Sequence, residues 1–428
     1  MKVAIYTLGC KVNQYETQAM ERELIRRGHE LVAFTDTADA YIVNTCSVTA
    51  VSDKKSRQMI RRCKKMNPDA VVAGCGCYVQ THAEEAKKLG IELVAGTAGR
   101  MAFLDLLEQA YAERKPLQLL DDALKRREFE VLPAGGMATR TRAMLKVEDG
   151  CQNFCTYCII PFARGPVRSL SLDVAAEQVE KLRQEGYREI VVTGIEISSY
   201  GRDFGDGTTL IDLLERLAET AGEMRLRLGS LEPRTITRDF CRRAAKLKNL
   251  CPHFHLSLQS GCDETLQRMN RRYDTARFYE SVQLLREYFD GVAITTDLIT
   301  GFPGETEEEF GKTLRFIRQC GFAAMHVFPY SVRPGTKAAE MEQLPPAVKE
   351  ERAARASAVA QEMHRTYLES CVGKVLPVLF EQTDEKGRYC GHAPNYMDVA
   401  VEAIDLHNQI REVEIIGIDG DLLVGRLT

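Results

Sequence analysis

The sequence has 428 residues, a length that predicts two or three domains. Its 44% hydrophobic and 28% charged residues are ordinary for a soluble globular protein, and no apolar run is long enough to span a bilayer. A net charge of −4 excludes a global attraction to nucleic acid, so any RNA contact would depend on local patches. The N-terminus is too short in its apolar part for a signal peptide. Fourteen cysteines in such a chain predict a cytoplasmic protein with reduced thiols and bound metal.

The first 125 residues alternate between apolar runs and amphipathic segments. The predicted strands are Lys2–Tyr6, Tyr41–Asn44, Ala70–Ala73 and Glu92–Val94, and the predicted helices are Glu16–Arg27, Asp53–Lys65 with Ser52 as N-cap, His82–Leu89 and Met101–Ala112. This alternation predicts a doubly wound parallel sheet in residues 1–125. Residues 116–133 have weak periodicity and are predicted to be a connector.

Three cysteines follow predicted strands of this domain. Cys10, Cys46 and Cys77 each come after a strand, at the carboxyl ends where such sheets collect their ligands. Three converging thiolates would make an iron–sulfur site with one iron unprotected. Cys75 is the rival of Cys77 as a ligand, and a buried cysteine without a special role is the alternative for each thiol alone.

Residues 54–65, KKSRQMIRRCKK, contain seven basic and no acidic side chains. A charge run of this kind is usually a solvated helix face. This one directly follows a cysteine loop, and Lys and Arg contacts to phosphate supply sequence-independent affinity for RNA. We therefore predict that Arg57, Arg61 and Arg62 contact RNA.

The densest cysteine cluster lies in Gly150–Arg168, after the predicted strand Ala143–Glu148. Cys151, Cys155 and Cys158 are spaced C-x3-C-x2-C and would hold three corners of an iron–sulfur cube, with one iron open to a small molecule. Zinc sites usually show two separated Cys/His pairs, which makes a zinc site or three unrelated thiols the weaker alternatives. This spacing, with Tyr157 before the last cysteine, resembles the cluster loop of the radical S-adenosylmethionine (AdoMet) superfamily. The resemblance implies that AdoMet fills the open iron site and is cleaved to a 5′-deoxyadenosyl radical.

The central region repeats the strand–helix alternation. The further predicted strands are Glu189–Thr193, Arg225–Leu228, His253–Leu258, Val292–Ile299 and Ala324–Phe328, and the helices are Asp173–Glu185, Leu210–Ala221, Arg238–Leu247, Thr275–Tyr288, Glu305–Cys320 and Ala347–Tyr367. Six β/α units in residues 138–365 resemble the partial β/α barrel of radical AdoMet enzymes, which is open on one side for a large substrate. Chemistry is then expected at the carboxyl ends of the strands.

Polar residues follow several of these strands. Gly194, Ser230, Glu232 and Gln259 lie there and are predicted, with Tyr157, to contact AdoMet, although each alone is as readily a cap or turn residue. Arg164 and Arg168, just after the cysteine loop, are predicted to bind RNA phosphate or the AdoMet carboxylate. A surface salt bridge is the alternative for both arginines.

Residues 366–428 contain the predicted short strands Val375–Gln382, Asp398–Val401, Arg411–Ile416 and Leu422–Arg426. They predict a small β-barrel. The segment GHAPNYMDVAV resembles the TRAM domain, a small RNA-binding barrel. Tyr389, His392, Asn395 and Tyr396 would stack on or bond to exposed bases, and Tyr396 is the residue that we predict to contact RNA. Burial in the barrel core is the alternative for the two tyrosines.

The whole chain is similar to the radical AdoMet methylthiotransferase family. LGCKVNQYE, IVNTCSV and GCYVQ match its three N-terminal cysteine motifs, and the third motif favours Cys77 over Cys75. Asn13 and Asn44 lie inside these motifs. The resemblance implies two [4Fe-4S] clusters, AdoMet, a tRNA anticodon loop as partner, and a reductase or flavodoxin-type electron donor.

The motifs most resemble the branch of this family that acts on N6-threonylcarbamoyladenosine at position 37 of tRNA. The implied reaction is methylthiolation of carbon 2 of that adenine, with sulfur delivered at the auxiliary cluster. The alternatives are the same chemistry on isopentenyladenosine 37, or on an aspartate of a ribosomal protein. A non-catalytic RNA-binding or iron–sulfur carrier protein is the alternative from a different class.

Overall fold

The computed structural model describes residues 1–136 and 141–428, so the predicted domain start at residue 138 lies outside the described residues. The N-terminal region is an α/β sandwich. Its strands are β1 (Lys2–Thr7), β2 (Glu30–Leu31), β3 (Ala40–Thr45), β4 (Val71–Gly76), β5 (Leu93–Ala95) and β6 (Leu117–Leu119), and its helices are α1 (Lys11–Arg26), α2 (Ala50–Met66), α3 (Cys77–Thr81), α4 (Ala83–Lys87) and α5 (Arg100–Glu113).

All six strands are parallel, in the order β2-β1-β3-β4-β5-β6, with an apolar core on each face. The predicted doubly wound sheet is therefore confirmed. Strand β6 lies within the predicted connector. Helix α2 begins after Thr49, whose hydroxyl accepts a hydrogen bond from the Ser52 amide at 3.1 Å, so the prediction of Ser52 as N-cap is wrong.

The central region is the predicted partial barrel. Its strands are β7 (Arg142–Lys146), β8 (Glu148–Asp149), β9 (Arg168–Ser169), β10 (Glu189–Thr193), β11 (Arg225–Leu228), β12 (Ser230–Leu231), β13 (His253–Gln259), β14 (Ala293–Thr300) and β15 (Ala324–Pro329), and its helices are α6 (Ile160–Arg164), α7 (Leu172–Gln184), α8 (Leu210–Ala221), α9 (Arg238–Ala244), α10 (Asp263–Arg268), α11 (Thr275–Tyr288), α12 (Glu307–Cys320) and α13 (Pro346–Cys371).

Parallel strands run in the order β7-β10-β11 and then β12-β13-β14-β15, while β8 and β9 form a separate antiparallel pair. Only Gly229 separates β11 from β12, so these two strands act as the halves of the third strand, and six β/α units follow one another as predicted. Alternate residues such as Leu145 and Ile190 pack under the helices. Their neighbours Met144 and Val191 therefore face the barrel lumen.

The C-terminal region is a closed barrel of five strands in the order β16-β17-β18-β20-β19. The strands are β16 (Val375–Thr383), β17 (Tyr389–His392), β18 (Asp398–Val401), β19 (Ile410–Asp419) and β20 (Leu422–Leu427). Strand β17 was not predicted, because Gly391 and the polar residues of this strand interrupt the alternation of apolar and polar side chains. Within the described residues, the structure contains no helix long and apolar enough to cross a membrane.

The His392 side chain on β17 links this strand to β16 and β18. Its ring lies 2.6 Å from a Glu381 oxygen and 2.9 Å from an Asp398 oxygen. Burial opposes a charge on the ring, but the hydrogen bonds with Asp398 and Glu381 outweigh it and raise the pKa of His392.

Candidate active site

The cysteine-rich loop of residues 150–167 is closed at its neck by the β8–β9 pair. The Cys151 amide donates to the Gly165 carbonyl at 3.0 Å. Gly150 has φ +93°, and a side chain there would strike the Pro166 carbonyl, so this position requires glycine. The loop is therefore held as a compact structure at the carboxyl end of β7.

Cys151, Cys155 and Cys158 are partly exposed on this loop. Burial, and then the neighbouring Cys155 thiol, raise the pKa of Cys158 to about 12, and burial likewise raises the pKa of Cys151. Arg271 donates from Nη1 to the Cys155 sulfur at 3.3 Å. Three thiols on one short loop, with the partly exposed Arg271 guanidinium against Cys155, are suited to bind as thiolates around an iron–sulfur cluster.

A second triad forms at the carboxyl ends of β1, β3 and β4. Cys10 is exposed at the start of α1, whereas Cys46 and Cys77 are buried. Burial raises the pKa of Cys77 to about 12, and the nearby Cys46 and Cys10 thiols add to that rise. Gly9 has φ +98°, and a Cβ there would lie 2.7 Å from the Cys46 sulfur, so the first loop passes directly against the second.

Asn13 and Asn44 fix these loops to one another. Asn13 Nδ2 donates to the carbonyls of Leu8 and Thr45 at 2.8 and 2.9 Å, and Asn44 Nδ2 donates to the Asn13 carbonyl at 3.0 Å. Both asparagines are buried. The cysteine motifs therefore contain, in addition to the cysteines, the asparagines whose hydrogen bonds hold these loops together.

Cys75 lies on the opposite face of β4 from the triad. It is fully buried in the apolar core formed with Val3 and Leu93. Gly76, with φ +95°, turns the chain so that Cys77 begins α3 on the side of Cys10. The structure thus brings Cys77, and not Cys75, together with the other two cysteines.

In the part of the chain that the structure describes, no three His, Cys, Asp or Glu side chains converge closely enough to hold one metal ion. A cube-shaped cluster sets a different requirement, because each of its cysteines binds a separate iron. The chemistry of the two triads, each made of three thiols, fits clusters better than a single zinc ion.

A buried ion network lies between the two triads. Glu16 of α1 pairs with Arg164 of α6 and, at 2.7 Å, with Arg100. Lys146 lies 3.5 Å from Glu16 and 3.2 Å from Asp149. Burial opposes the Glu16 charge, but Arg100 and Arg164 outweigh it and hold the pKa of Glu16 far below its usual range. These charges join the N-terminal sheet to the central barrel.

This placement does not fit the predicted RNA-phosphate role of Arg164 and Arg168, because both guanidinium groups are buried. Arg164 donates to Asn13 Oδ1 at 2.7 Å, and its charge acts on the Cys77 thiol. Arg168 Nη2 lies 3.5 Å from Asp149. The two arginines therefore organise the space between the triads, and their salt bridges are buried ones.

A cavity of about 240 Å³ lies between the cysteine loops. Tyr157 of the central loop lines it together with Val48 and Thr49, which follow Cys46. Gln259, at φ +66°, lines it too; a non-glycine residue in this conformation is strained, and such residues cluster at functional sites. Two larger clefts, of about 890 and 840 Å³, lie against the C-terminal barrel and are lined by no residue of either cysteine loop.

Arg333, which the sequence analysis missed, also lines this cavity. Its Nη2 donates to Asp53 at 2.5 Å and to Ser47 at 2.8 Å, which connects the loop after β15 to the loop of Cys46. Its partners lie some 280 residues away, so no local pattern could have revealed them. The segment PYSVRPGT (Pro329–Thr336) contains Arg333 and is the sequence feature from which a functional role could have been inferred.

The other predicted AdoMet residues lie apart from this cavity. Gly194 packs its backbone against Glu148, where a Cβ would come within 2.8 Å of the carboxylate. Glu232 is buried and pairs with Arg234 at 2.8 Å, whereas Ser230 is exposed. These three positions border the strand ends without sharing the cavity lining.

The predicted RNA contacts divide into two groups. Arg61 and Arg62 are exposed on α2, and Arg57 lies 5.6 Å from the centre of the Tyr78 ring. Tyr396 is half-buried where the three regions meet, at φ +67°. Its ring stacks on His392 and lies 4.6 Å from the Arg227 guanidinium.

Comparison with known proteins agrees with this geometry. Residues 145–317 match the Radical SAM superfamily, and residues 2–96 match the family UPF0004. A threonylcarbamoyladenosine tRNA methylthiotransferase, MtaB, of Bacillus subtilis is 40% identical over 97% of this chain and 93% of its own length. The chain belongs to the radical AdoMet methylthiotransferase family.

Other relatives bear different names. A tRNA-2-methylthio-N(6)-dimethylallyladenosine synthase of Moorella thermoacetica is 35% identical over 88% of this chain and 86% of its own length. The solved structure of TsrM, a radical AdoMet methyltransferase from Kitasatospora setae, covers 90% of this chain and 79% of its own, with a TM-score of 0.57 and 15% identity. The likeness to TsrM concerns the fold alone.

Proposed function

We propose that this methylthiotransferase modifies carbon 2 of N6-threonylcarbamoyladenosine at position 37 of tRNA. The observation that carries the proposal is a cavity bordered both by the loop of Cys46 and by the loop of Cys151, Cys155 and Cys158. Sulfur insertion at an unactivated C–H bond needs a radical source and a sulfur source at one substrate atom. Relatives named for this substrate, with 36 to 40% identity over most of the chain, support the choice of base.

Cys151, Cys155 and Cys158 would hold the radical cluster, and Cys10, Cys46 and Cys77 would hold the auxiliary cluster. When bound, the clusters and AdoMet supply the radical and sulfur chemistry that no side chain provides for a ring C–H bond. The chain contributes positioning. Arg271 donates to Cys155, and the residues that border the cavity shape the space for the base.

The substrate would approach along a surface that is both basic and apolar. Lys54, Lys55, Arg61 and Arg62 are exposed on α2, and none has a carboxylate within ion-pair distance among the described residues. Val48 and Phe328, which line the cavity, are also exposed large hydrophobic residues. Cations that bind phosphate beside apolar groups that receive unstacked bases suit an anticodon loop, with the TRAM-like barrel as a further RNA contact.

The test is methylthiolation by the anaerobically reconstituted enzyme with AdoMet and a reductant such as flavodoxin. The substrates are anticodon stem-loops that carry threonylcarbamoyladenosine, isopentenyladenosine or plain adenosine at position 37. We expect the methylthio product from the first RNA only. Product from the second alone would support the other branch, which relatives named for dimethylallyladenosine keep as the second candidate.

Iron content tests the auxiliary cluster separately. Two cysteine-held four-iron sites require about eight irons per chain, and a Cys151/Cys155/Cys158→Ala variant should retain about four. About four irons falling to none would refute the auxiliary cluster. The radical AdoMet assignment would stand in that case, and sulfur insertion would not.

A further inference from the structure

A second cavity, of about 540 Å³, lies where the three regions of the chain meet. Lys11 and Gln18 of α1, Met144 of β7, Val191 of β10 and Tyr396 of the C-terminal barrel line it. Met144 and Val191 are lumen-facing residues of the central barrel. This cavity is therefore part of the barrel interior that opens beside α1.

A chain of polar contacts connects this cavity with the one between the cysteine loops. The Tyr396 ring lies 4.8 Å from that of His253, and His253 Nε2 is 3.1 Å from the Thr295 hydroxyl. The same hydroxyl lies 3.0 Å from His255 Nδ1, and His255 Nε2 is 3.2 Å from Asp297, which lines the cavity between the cysteine loops. Of the residues that the structure describes, none lines both cavities, and this chain of side-chain contacts links them across the barrel interior.

The cavity lined by Lys11, Gln18 and Tyr396 is called the lower cavity below. The cations around it differ in whether a carboxylate pairs with them. Arg142 pairs with Glu381 at 2.8 Å, and Arg227 pairs with Glu189 at 2.7 Å. Lys11 Nζ lies 6.0 Å from the Tyr396 ring centre and has no carboxylate within 4 Å among residues 1–136 and 141–428. A half-buried ammonium without a paired anion favours an anionic ligand.

Gln18 supplies a second unmet contact in the same cavity. Its side chain is 2% exposed, and its Oε1 atom is buried without a hydrogen-bond partner in the described parts of the chain. Buried amide oxygens normally accept a hydrogen bond. The lower cavity therefore offers one cation and one acceptor, which suits a ligand that carries a carboxylate and a nearby N–H or O–H group.

The N6-threonylcarbamoyl group has this chemistry, because it contains a carboxylate, a hydroxyl and ureido N–H groups. Carbon 2 and the carbon that bears N6 both flank N1 of the pyrimidine ring, and their outward bonds diverge. A base whose carbon 2 faces the cysteine loops would therefore direct its N6 group away from these loops, toward the barrel interior. We propose that Lys11 binds the threonyl carboxylate and that Gln18 accepts a hydrogen bond from the same group, so that this cavity selects the threonylcarbamoyl base. This inference rests on the proposed function.

The test compares two anticodon stem-loops that differ only in the threonyl carboxylate, which is a carboxamide in the second. Reconstituted wild-type enzyme should show a kcat/KM about 10- to 100-fold higher on the carboxylate RNA, as expected for loss of a charge-assisted hydrogen bond. Lys11→Met should remove this preference, so that the ratio of kcat/KM on the two RNAs falls toward one. Lys115→Met, which removes an exposed lysine of the same region, should retain the preference.

Lys11 follows Cys10, so iron content and reductive AdoMet cleavage are measured for every variant. If Lys11→Met loses iron, the inference is tested instead by the ratio of kcat/KM on the two RNAs, measured for the wild type and for a Gln18→Leu variant. A wild-type ratio near one would overturn the inference, as would a Lys11→Met enzyme that still prefers the carboxylate. Failure of the wild type to modify either RNA while it modifies the isopentenyl RNA would instead overturn the proposed function.

Discussion

Substitution of Glu16 by Gln tests whether the buried charges between the triads stabilise the joined domains. The change keeps the shape of the side chain and removes the anion shared by Arg100 and Arg164. All three side chains are 0% exposed, so the two guanidinium groups would lose their carboxylate without gaining water. Breaking a buried ion pair in this way costs about 3–5 kcal/mol.

Urea unfolding of the reduced apoprotein, followed by circular dichroism because the chain has no tryptophan, measures this cost. With an m value of roughly 3 kcal/mol/M, the midpoint should fall by about 1–2 M. Glu185→Gln is the matched control. Glu185 also joins the two regions, through Arg22 at 2.7 Å, but it is 33% exposed. A surface pair is worth roughly 0.2–1 kcal/mol.

The pH dependence gives an independent measurement. The pKa of Glu16 is lower in the folded state than in the unfolded state, so its stabilisation is present at neutral pH. It is lost as the pH falls below about 4.5 toward the folded-state pKa. Glu16→Gln should lack this acid-sensitive part of the stability. Equal midpoints for the Glu16 and Glu185 variants would show that the buried network stabilises the protein no more than an exposed ion pair does.

Three further outcomes follow from the structure. Cys77→Ala should lose about half of the iron while Cys75→Ala retains it, measured by iron analysis after reconstitution; the opposite result would move the third ligand. Charge reversal at Arg61 and Arg62 should weaken anticodon stem-loop binding and reduce its dependence on salt, and unchanged binding in a salt titration would place the RNA elsewhere. The pKa of His392 is raised in the folded state, so the stabilisation by its charged ring is fully present below about pH 6.5 and is lost as the pH rises through that raised pKa. His392→Gln should therefore remove this loss of stability at alkaline pH, measured as unfolding midpoints from pH 6 to 9.

The fold was largely predictable because its apolar runs are local signals. Thr275–Tyr288 and Leu210–Ala221 have the predicted bounds. The start of α1 was placed at Glu16 instead of Lys11, because the polar stretch KVNQY has little helical periodicity. Asn13 in this stretch is held by carbonyls of Leu8 and Thr45, and only the assembled loops provide those contacts.

The cysteines of the candidate site could be found from the sequence, but the charges around them could not. Arg164 has the pattern of a solvent-facing cation after a loop, and its partner Glu16 lies 148 residues earlier in the chain. Lys11 stands in a quoted motif, yet only the fold shows that it faces a cavity. One signal was present and unused, because HFHLSL alternates polar and apolar residues and so marks His253 and His255 as lumen-facing.

The ion pair between Glu16 and Arg164 connects the two triads through short, rigid pieces of chain. Helix α1 runs from Cys10 to Glu16 in less than two turns, and α6 places Arg164 six residues after Cys158. Arg164 also bonds to Asn13, which holds the loops of Cys10 and Cys46 together. The separation of the triads is therefore set by buried charge–charge contacts together with the packing of α6 against α3, which begins at Cys77. In the proposed reaction a radical and a sulfur atom meet at one carbon, which requires such a fixed separation because small displacements of reacting groups are costly to the rate.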